Sequence, residues 1–307
     1  MQQFEVCILG CSSATPTSNR NPTSQFISIA DRHFLIDCGE GTQMQIRKFK
    51  LKLQKIDHIL ISHLHGDHYF GLIGLLASMH LLGRKEEINL YGPPGLKEII
   101  ELQNKHSDTR LNYKLVYHII PSDAASIIFE DEKVIVKTII LNHRVPCTGF
   151  LIKEKSKGKH LDRQKVLELN IARSEFPRIK LGDSFVTNEG LIISNDELTV
   201  SIPTYTYAYC SDTCYDERVI NQIESVDVLY HEATFLHNLV ERAKETFHST
   251  AKQAGQVALS ANVGHLIIGH FSARYADLTP LLEDAQSVFP NTSLAEEGRK
   301  FFVPYHV

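Results

Sequence analysis

The stretch Ser62-His63-Leu64-His65-Gly66-Asp67-His68, following the apolar run Ile56 to Ile61, constrains the fold more than any other part of the chain. Its spacing is His-x-His-x-Asp-His. That is not the i, i+4 pair that sets two ligands on one helix face, so a loop at the C-terminal end of a buried strand is expected. A tight Gly66 would let the imidazoles and the carboxylate turn toward one point. Zinc takes imidazole nitrogen and carboxylate oxygen at about 2.0–2.2 Å, with roughly four ligands per ion. The loop reads as a metal site whose remaining ligands come from elsewhere in the chain.

The same arrangement recurs. Val134 to Leu141 delivers Asn142-His143, and Tyr205 to Cys210 ends at Ser211-Asp212-Thr213. Asp227 to Tyr230 ends at His231-Glu232, and His265 to Gly269 ends at His270. If the strands ending near 62, 142, 210 and 269 share a sheet and direction, His63, His65, Asp67, His68, His143, Asp212 and His270 converge on one rim. Seven donors exceed one tetrahedral ion but suit two ions about 3.5–4 Å apart, provided a carboxylate bridges them. Asp212 is the natural bridge, because a carboxylate has two oxygens to share. A two-zinc site lowers the pKa of water from 15.7 toward about 7, which suits in-line attack on a phosphodiester. Asp67 could bind metal and also orient or deprotonate the attacking water. His248 is the best remaining proton donor for the leaving alkoxide, with Glu232 holding the ring and favouring its charged form. Asp37 reads either as a ligand or as a brace that accepts backbone N–H groups in the loop.

Helices are expected over 43–50, 69–82, 96–104 and 162–170, with another beginning near Ser249. Asp67 could cap the second of these. The 307 residues, 43% hydrophobic and 22% charged, suit a globular chain with a sizeable core. A formal charge of −4 gives no whole-protein attraction to nucleic acid or anionic membrane, so a polyanion needs a local basic patch. Such a patch lies in residues 153–187, in the first part of which Lys153, Lys155, Lys157, Lys159, Arg163 and Lys165 oppose only Glu154 and Asp162, with Arg178 and Lys180 further on. With few apolar residues, this segment reads as a projecting arm inserted in one domain spanning 1–307. The six cysteines form no C-x-x-C pair. No run approaches the roughly 20 apolar residues that span a bilayer, and Met1-Gln2-Gln3-Phe4-Glu5 lacks the basic and long apolar regions expected of a signal peptide. A cytoplasmic protein with reduced thiols is expected.

With these residues assembled, the chain resembles the metallo-β-lactamase superfamily and, within it, the ribonuclease Z family of tRNA 3′-processing endonucleases. The loop His63 to His68 marks the superfamily. The narrower resemblance rests on Arg20-Asn21, Asp37 to Gln43, Ser211-Asp212-Thr213, His231-Glu232-Ala233-Thr234, His248-Ser249-Thr250 and His270 to Tyr275. It implies an αββα sandwich, two zinc ions per subunit and a homodimer. It also implies cleavage of precursor tRNA after the discriminator base, leaving a 3′-hydroxyl on the tRNA and a 5′-phosphate on the trailer. By position Asp67 looks like the family's proton acceptor as well as a ligand, and His248 like its catalytic histidine. The basic segment falls where bacterial members carry an arm that clamps the tRNA elbow of the other subunit. Family arms usually have a Gly- and Pro-rich motif before a basic turn, whereas Ala172 to Lys180 holds one proline. A phosphodiesterase or esterase acting on a small molecule is the competing reading. An RNA-binding protein with a dead site is not supported, since all seven ligand positions and His248 are filled.

Overall fold

The computed structural model describes residues 4–156 and 158–305. One seven-stranded sheet runs, in spatial order, Lys300–Val303, Phe4–Gly10, Ser24–Ile29, Arg32–Ile36, His58–Leu60, Ile88–Gly92 and Leu115–Ile119. It is antiparallel as far as Arg32–Ile36 and parallel beyond. A second runs Thr292–Leu294, His265–Gly269, Val228–Glu232, Thr206–Cys210, Thr148–Glu154, Val134–Ile140 and Ile127–Glu130, its first four strands parallel.

Side-chain alternation explains how the sheets stack. Val6, Ile8, Ile27 and Phe34 enter one core with Phe150, Ile152, Tyr207 and Tyr209 of the other sheet. The intervening Cys7, Leu9, Phe26 and Leu35 face the opposite way, against Ile46, Leu72, Leu75 and Met79. Those come from the helices Thr42–Lys48 and Leu72–Leu81. Helices Ala251–Ser260 and Thr279–Gln286 contribute Ala254, Val257, Leu281 and Ala285 to the core on the second sheet's side. The order is therefore helix, sheet, sheet, helix, as expected. Strands covered on both faces read as continuous apolar runs, such as Leu266-Ile267-Ile268.

Two expectations about the metal loop are corrected. Its donors do not share one sheet: His58–Leu60 leads to His63–His68 from the first, while Val134–Ile140, Thr206–Cys210 and His265–Gly269 belong to the second. The expected helix over 69–82 is a short turn, Gly66–Tyr69, followed by Leu72–Leu81 with Gly71 as its N-cap. Asp67 therefore does not cap that helix. The break comes from a backbone strap in which Cys38 N donates to His68 O at 2.7 Å and Gly71 N to Cys38 O at 2.9 Å. A Cβ on Gly71 would lie 2.0 Å from Gly39 O, so only glycine permits the strap.

Residues Glu154–Thr204 form a compact unit of their own, separate from Met1–Lys153 with Tyr205–Val307. Ile171, Ile179 and Leu198 make its small core, against which Val166, Phe176 and Ile193 pack. This corrects the reading of the segment as too poor in apolar residues for a core. Those residues are far apart in sequence, and the ladder of Lys159–Leu161 with Thr199–Ser201 closes the unit end to end. Asp162 caps the helix Arg163–Glu168 by accepting from Gln164 N and Lys165 N.

Candidate metal centre

All seven predicted donors meet at one rim, in two groups. His63, His65, His143 and Asp212 form one, with His63 Nε2 and His143 Nε2 lying 3.0 and 3.2 Å from His65 Nδ1. Asp67, His68 and His270 form the other, with His270 Nε2 3.3 Å from both His68 Nε2 and Asp67 Oδ2. Asp212 serves both. Its Oδ2 is 3.5 Å from His63 Nε2, and its Oδ1 is 3.3 Å from His68 Nε2 and 3.2 Å from His270 Nε2.

Hydrogen bonds behind the rings set which nitrogen faces the centre. His143 Nδ1 donates to Phe247 O at 2.9 Å, leaving Nε2 with its lone pair inward. His68 Nδ1 lies 2.8 Å from Asp37 Oδ2. His270 Nδ1 is 2.9 Å from Thr234 Oγ1, whose own proton goes to Glu232 Oε2 at 2.8 Å. His63 Nδ1 is 3.0 Å from Ser62 Oγ, which donates to Asp37 Oδ2 at 2.9 Å. Such outer acceptors fix tautomer and ring orientation around metals. Asp37 is thus a brace rather than a ligand, accepting also from Ser62 N and Tyr209 Oη at 2.8 and 2.6 Å. Sequence reading left Asp37 open and did not find Ser62, Tyr209 or Thr234 as orienting groups; only their places beside motif residues hinted at it.

The donor set fits divalent cations. Asp212 Oδ1 is buried with only the Nε2 atoms of His68 and His270 near it, 3.3 and 3.2 Å away, and with no hydrogen bond of good geometry among the described residues, a costly state that a cation between these atoms would relieve. Burial opposes ionisation of Asp212, yet the His270, His68 and His63 rings hold it well below the usual carboxylate range. Against its own burial, His68 is raised well above the usual imidazole range by Asp212, Asp67 and Asp37. The cluster calls for positive charge, and imidazole with carboxylate suits zinc, manganese or iron.

Beside the donors, His248 Nδ1 lies 2.9 Å from Glu232 Oε1 and 4.0 Å from Asp212 Oδ2. Glu232 is fully buried and accepts further bonds from Thr213 N, Ser249 N, Thr234 N and Thr234 Oγ1. Burial works against a charged His248, but Glu232 outweighs it and pushes the ring up to about 9. A Thr250/Gln253 capping box starts the next helix two residues on and fixes where His248 sits. A cleft of about 600 Å³ opens onto these groups, lined also by Phe70, Arg144 and Phe247.

The predicted basic residues are spread out. Lys153, Arg163, Lys165, Arg178 and Lys180 are exposed and Lys155 is half-buried, while Lys157 lies outside the described residues. Lys159 pairs with Asp196, Lys165 with Glu168 at 3.5 Å, and Arg178 with Glu175 and Asp183 at 3.3 and 3.2 Å. Over residues 154–204 eight Lys and Arg face eight Asp and Glu, so the positive charge is local to its first part.

Two stacked sheets flanked by helices, with His and Asp donors along one rim, define a metal-binding hydrolase of the metallo-β-lactamase fold. A family model described as "Anti-Pycsar protein Apyc1" matches residues 4–157, the half that carries the His63–His68 loop. Matches to ribonuclease Z run through both halves. The enzyme of that name from Bacteroides fragilis is 48% identical over 97% of this chain and 98% of its own length. That from Porphyromonas gingivalis is 44% identical, covering 97% and 98%. Human tRNase Z, short form, superposes with a TM-score of 0.72 at 26% identity, covering 98% of this chain and 99% of that one. The chain belongs to the ribonuclease Z family.

Proposed function

We infer that this chain is an endoribonuclease that removes the 3′ trailer of precursor tRNA after the discriminator base. It would leave a 3′-hydroxyl on the tRNA and a 5′-phosphate on the trailer. The observation that carries the reading is Asp212, whose two oxygens face two separate donor groups within reach of the Glu232–His248 pair.

His63, His65, His143 and Asp212 would hold one zinc ion, and Asp67, His68, His270 and Asp212 the second. When bound, the pair supplies an acidified water and positive charge for the phosphodiester. Asp67 Oδ2 is fixed by Ala14 N at 2.7 Å, which aims the carboxylate at the centre, where it would accept the proton of the attacking water. His248, held by Glu232, would donate from Nε2 to the departing 3′-oxygen of the tRNA. The exposed basic residues from Lys153 to Lys180 would bind tRNA phosphates, whose recognition is by shape and backbone more than by base edges. Residues 153–187 would act as an arm on a single domain in a cytoplasmic homodimer. Among the described residues no helix is long and apolar enough to cross a membrane.

The test is cleavage of a precursor tRNA carrying a 3′ trailer, alongside a small phosphodiester, by the wild type, by His65→Ala and by a chain with residues 154–204 replaced by a short linker. Cutting after the discriminator that is lost in His65→Ala, with the replacement harming tRNA far more than the small diester, supports both site and arm. Turnover of the small diester without any precursor cleavage would remove the tRNA assignment and favour a small-molecule phosphodiesterase.

A further inference from the structure

We propose that Arg144 and the outer edge of His65 form a clamp for a phosphate next to the scissile one, a role that rests on the RNA reading above. His65 turns Nδ1 toward His63 Nε2 and His143 Nε2, so in its ligating form that nitrogen carries the lone pair and Nε2 carries the proton. The Arg144 guanidinium reaches to 3.5 Å from His65 Nε2. Guanidinium nitrogens only donate. Two donors at that distance do not bond to each other; an acceptor placed to the side of the line that joins them can take a hydrogen bond from both.

The placement says which acceptor. Nε2 is on the far side of the ring from Nδ1, so the shared acceptor lies outside the donor groups, away from the centre where the scissile phosphate must sit. Both residues line the cleft, Arg144 is exposed, and it is matched to no carboxylate among the described residues. Glu40 and Glu245 also line that cleft and would repel a polyanion, which makes a cation beside the metal ligands more telling. Arginine meets phosphate with paired N–H groups, and each such contact in a single strand steepens the salt dependence of binding by about 0.7. Arg144 acts here as a positioning residue, setting where the strand lies relative to the cut.

The test compares wild type, Arg144→Ala and Arg144→Lys, each checked for bound metal, on precursor tRNAs with a neutral methylphosphonate at the linkage on either side of the cut. Wild type should lose about tenfold in KM when one of the two flanking linkages is neutralised. Arg144→Ala should already show that loss with the ordinary precursor, no further loss on neutralisation, and a shallower salt slope. Arg144→Lys should recover part of it. Independent, additive losses would overturn the clamp. So would an equal fall in kcat on a diester with a single phosphate, which would put Arg144 at the scissile group or behind a metal ligand. Failure of the wild type to cut any precursor would instead sink the tRNA reading. The same variants binding a ribo-oligonucleotide with and without one neutral linkage then decide the clamp by the same non-additivity.

Discussion

Glu232 Oε1 and His248 Nδ1 lie 2.9 Å apart, and the glutamate is entirely buried while the imidazole borders the cleft. One side of the pair is locked by backbone and side-chain donors, and the other is left to act on what enters. His248 is useful as an acid only while protonated, so activity should fall as pH rises through its pKa near 9. Glu232→Gln removes the charge that raises that pKa. The alkaline limb of kcat should then move to lower pH, and a pH–rate profile of precursor cleavage reads the shift. An unmoved limb would mean that some other group donates the proton. His248→Ala should lower kcat by about 10²- to 10⁴-fold.

Asp212 faces both donor groups, whereas His143 belongs to one. Asp212→Ala should therefore weaken retention at both, and His143→Ala mainly at the first. Elemental analysis after dialysis against a weak chelator should rank the proteins wild type, His143→Ala, Asp212→Ala in metal content. Equal losses in the two variants would count against a bridge.

Asp37 touches no part of the cleft, yet it orients His68 directly and His63 through Ser62. Asp37→Asn should cut metal affinity by about 10- to 100-fold, the usual cost of losing a partner behind a ligand. Chelator competition measures this, and circular dichroism would separate it from unfolding. Full affinity in the folded variant would leave Asp37 with a structural role alone.

The cysteines offer a check on burial. Cys7, Cys11, Cys38, Cys147 and Cys210 are buried, and burial pushes Cys7 up to about 11 and Cys11 up to about 12. Cys214 is half-buried and only it should react with a thiol reagent in the native protein. Mass spectrometry of partly alkylated protein locates the label. Early labelling at Cys38, inside the strap beside the metal loop, would contradict the packing found there.

Ile179 and Leu198 are almost wholly inaccessible within the 154–204 unit. Leu198→Ala should destabilise that unit by about 2–5 kcal/mol. Hydrogen exchange should rise across residues 154–204 while metal content stays at the wild-type level. Exchange that rises throughout the chain would show that the unit does not open on its own.

What the sequence determined by itself was chemistry carried over short distances. An apolar strand running into His or Asp is visible within a dozen residues, and five such places held every candidate metal donor and Glu232, whereas His248 was picked as the best remaining proton donor ahead of the helix near Ser249. Local pattern also located the strands 134–140 and 265–269 and the helix that follows Ser249. What the pattern could not give was the pairing across the chain. The sheet to which each strand belongs, the two oxygens of Asp212 aimed at different groups, and the Tyr209–Asp37 bond between residues 172 positions apart all depend on the two sheets closing on one core. The 154–204 core escaped notice for the same reason, since Ile171, Ile179 and Leu198 fall on no shared period and become neighbours only once the chain has folded. Ligand identity is written in each residue's own functional group. The direction in which that group points is fixed by hydrogen bonds to distant residues, and those exist only in the tertiary structure.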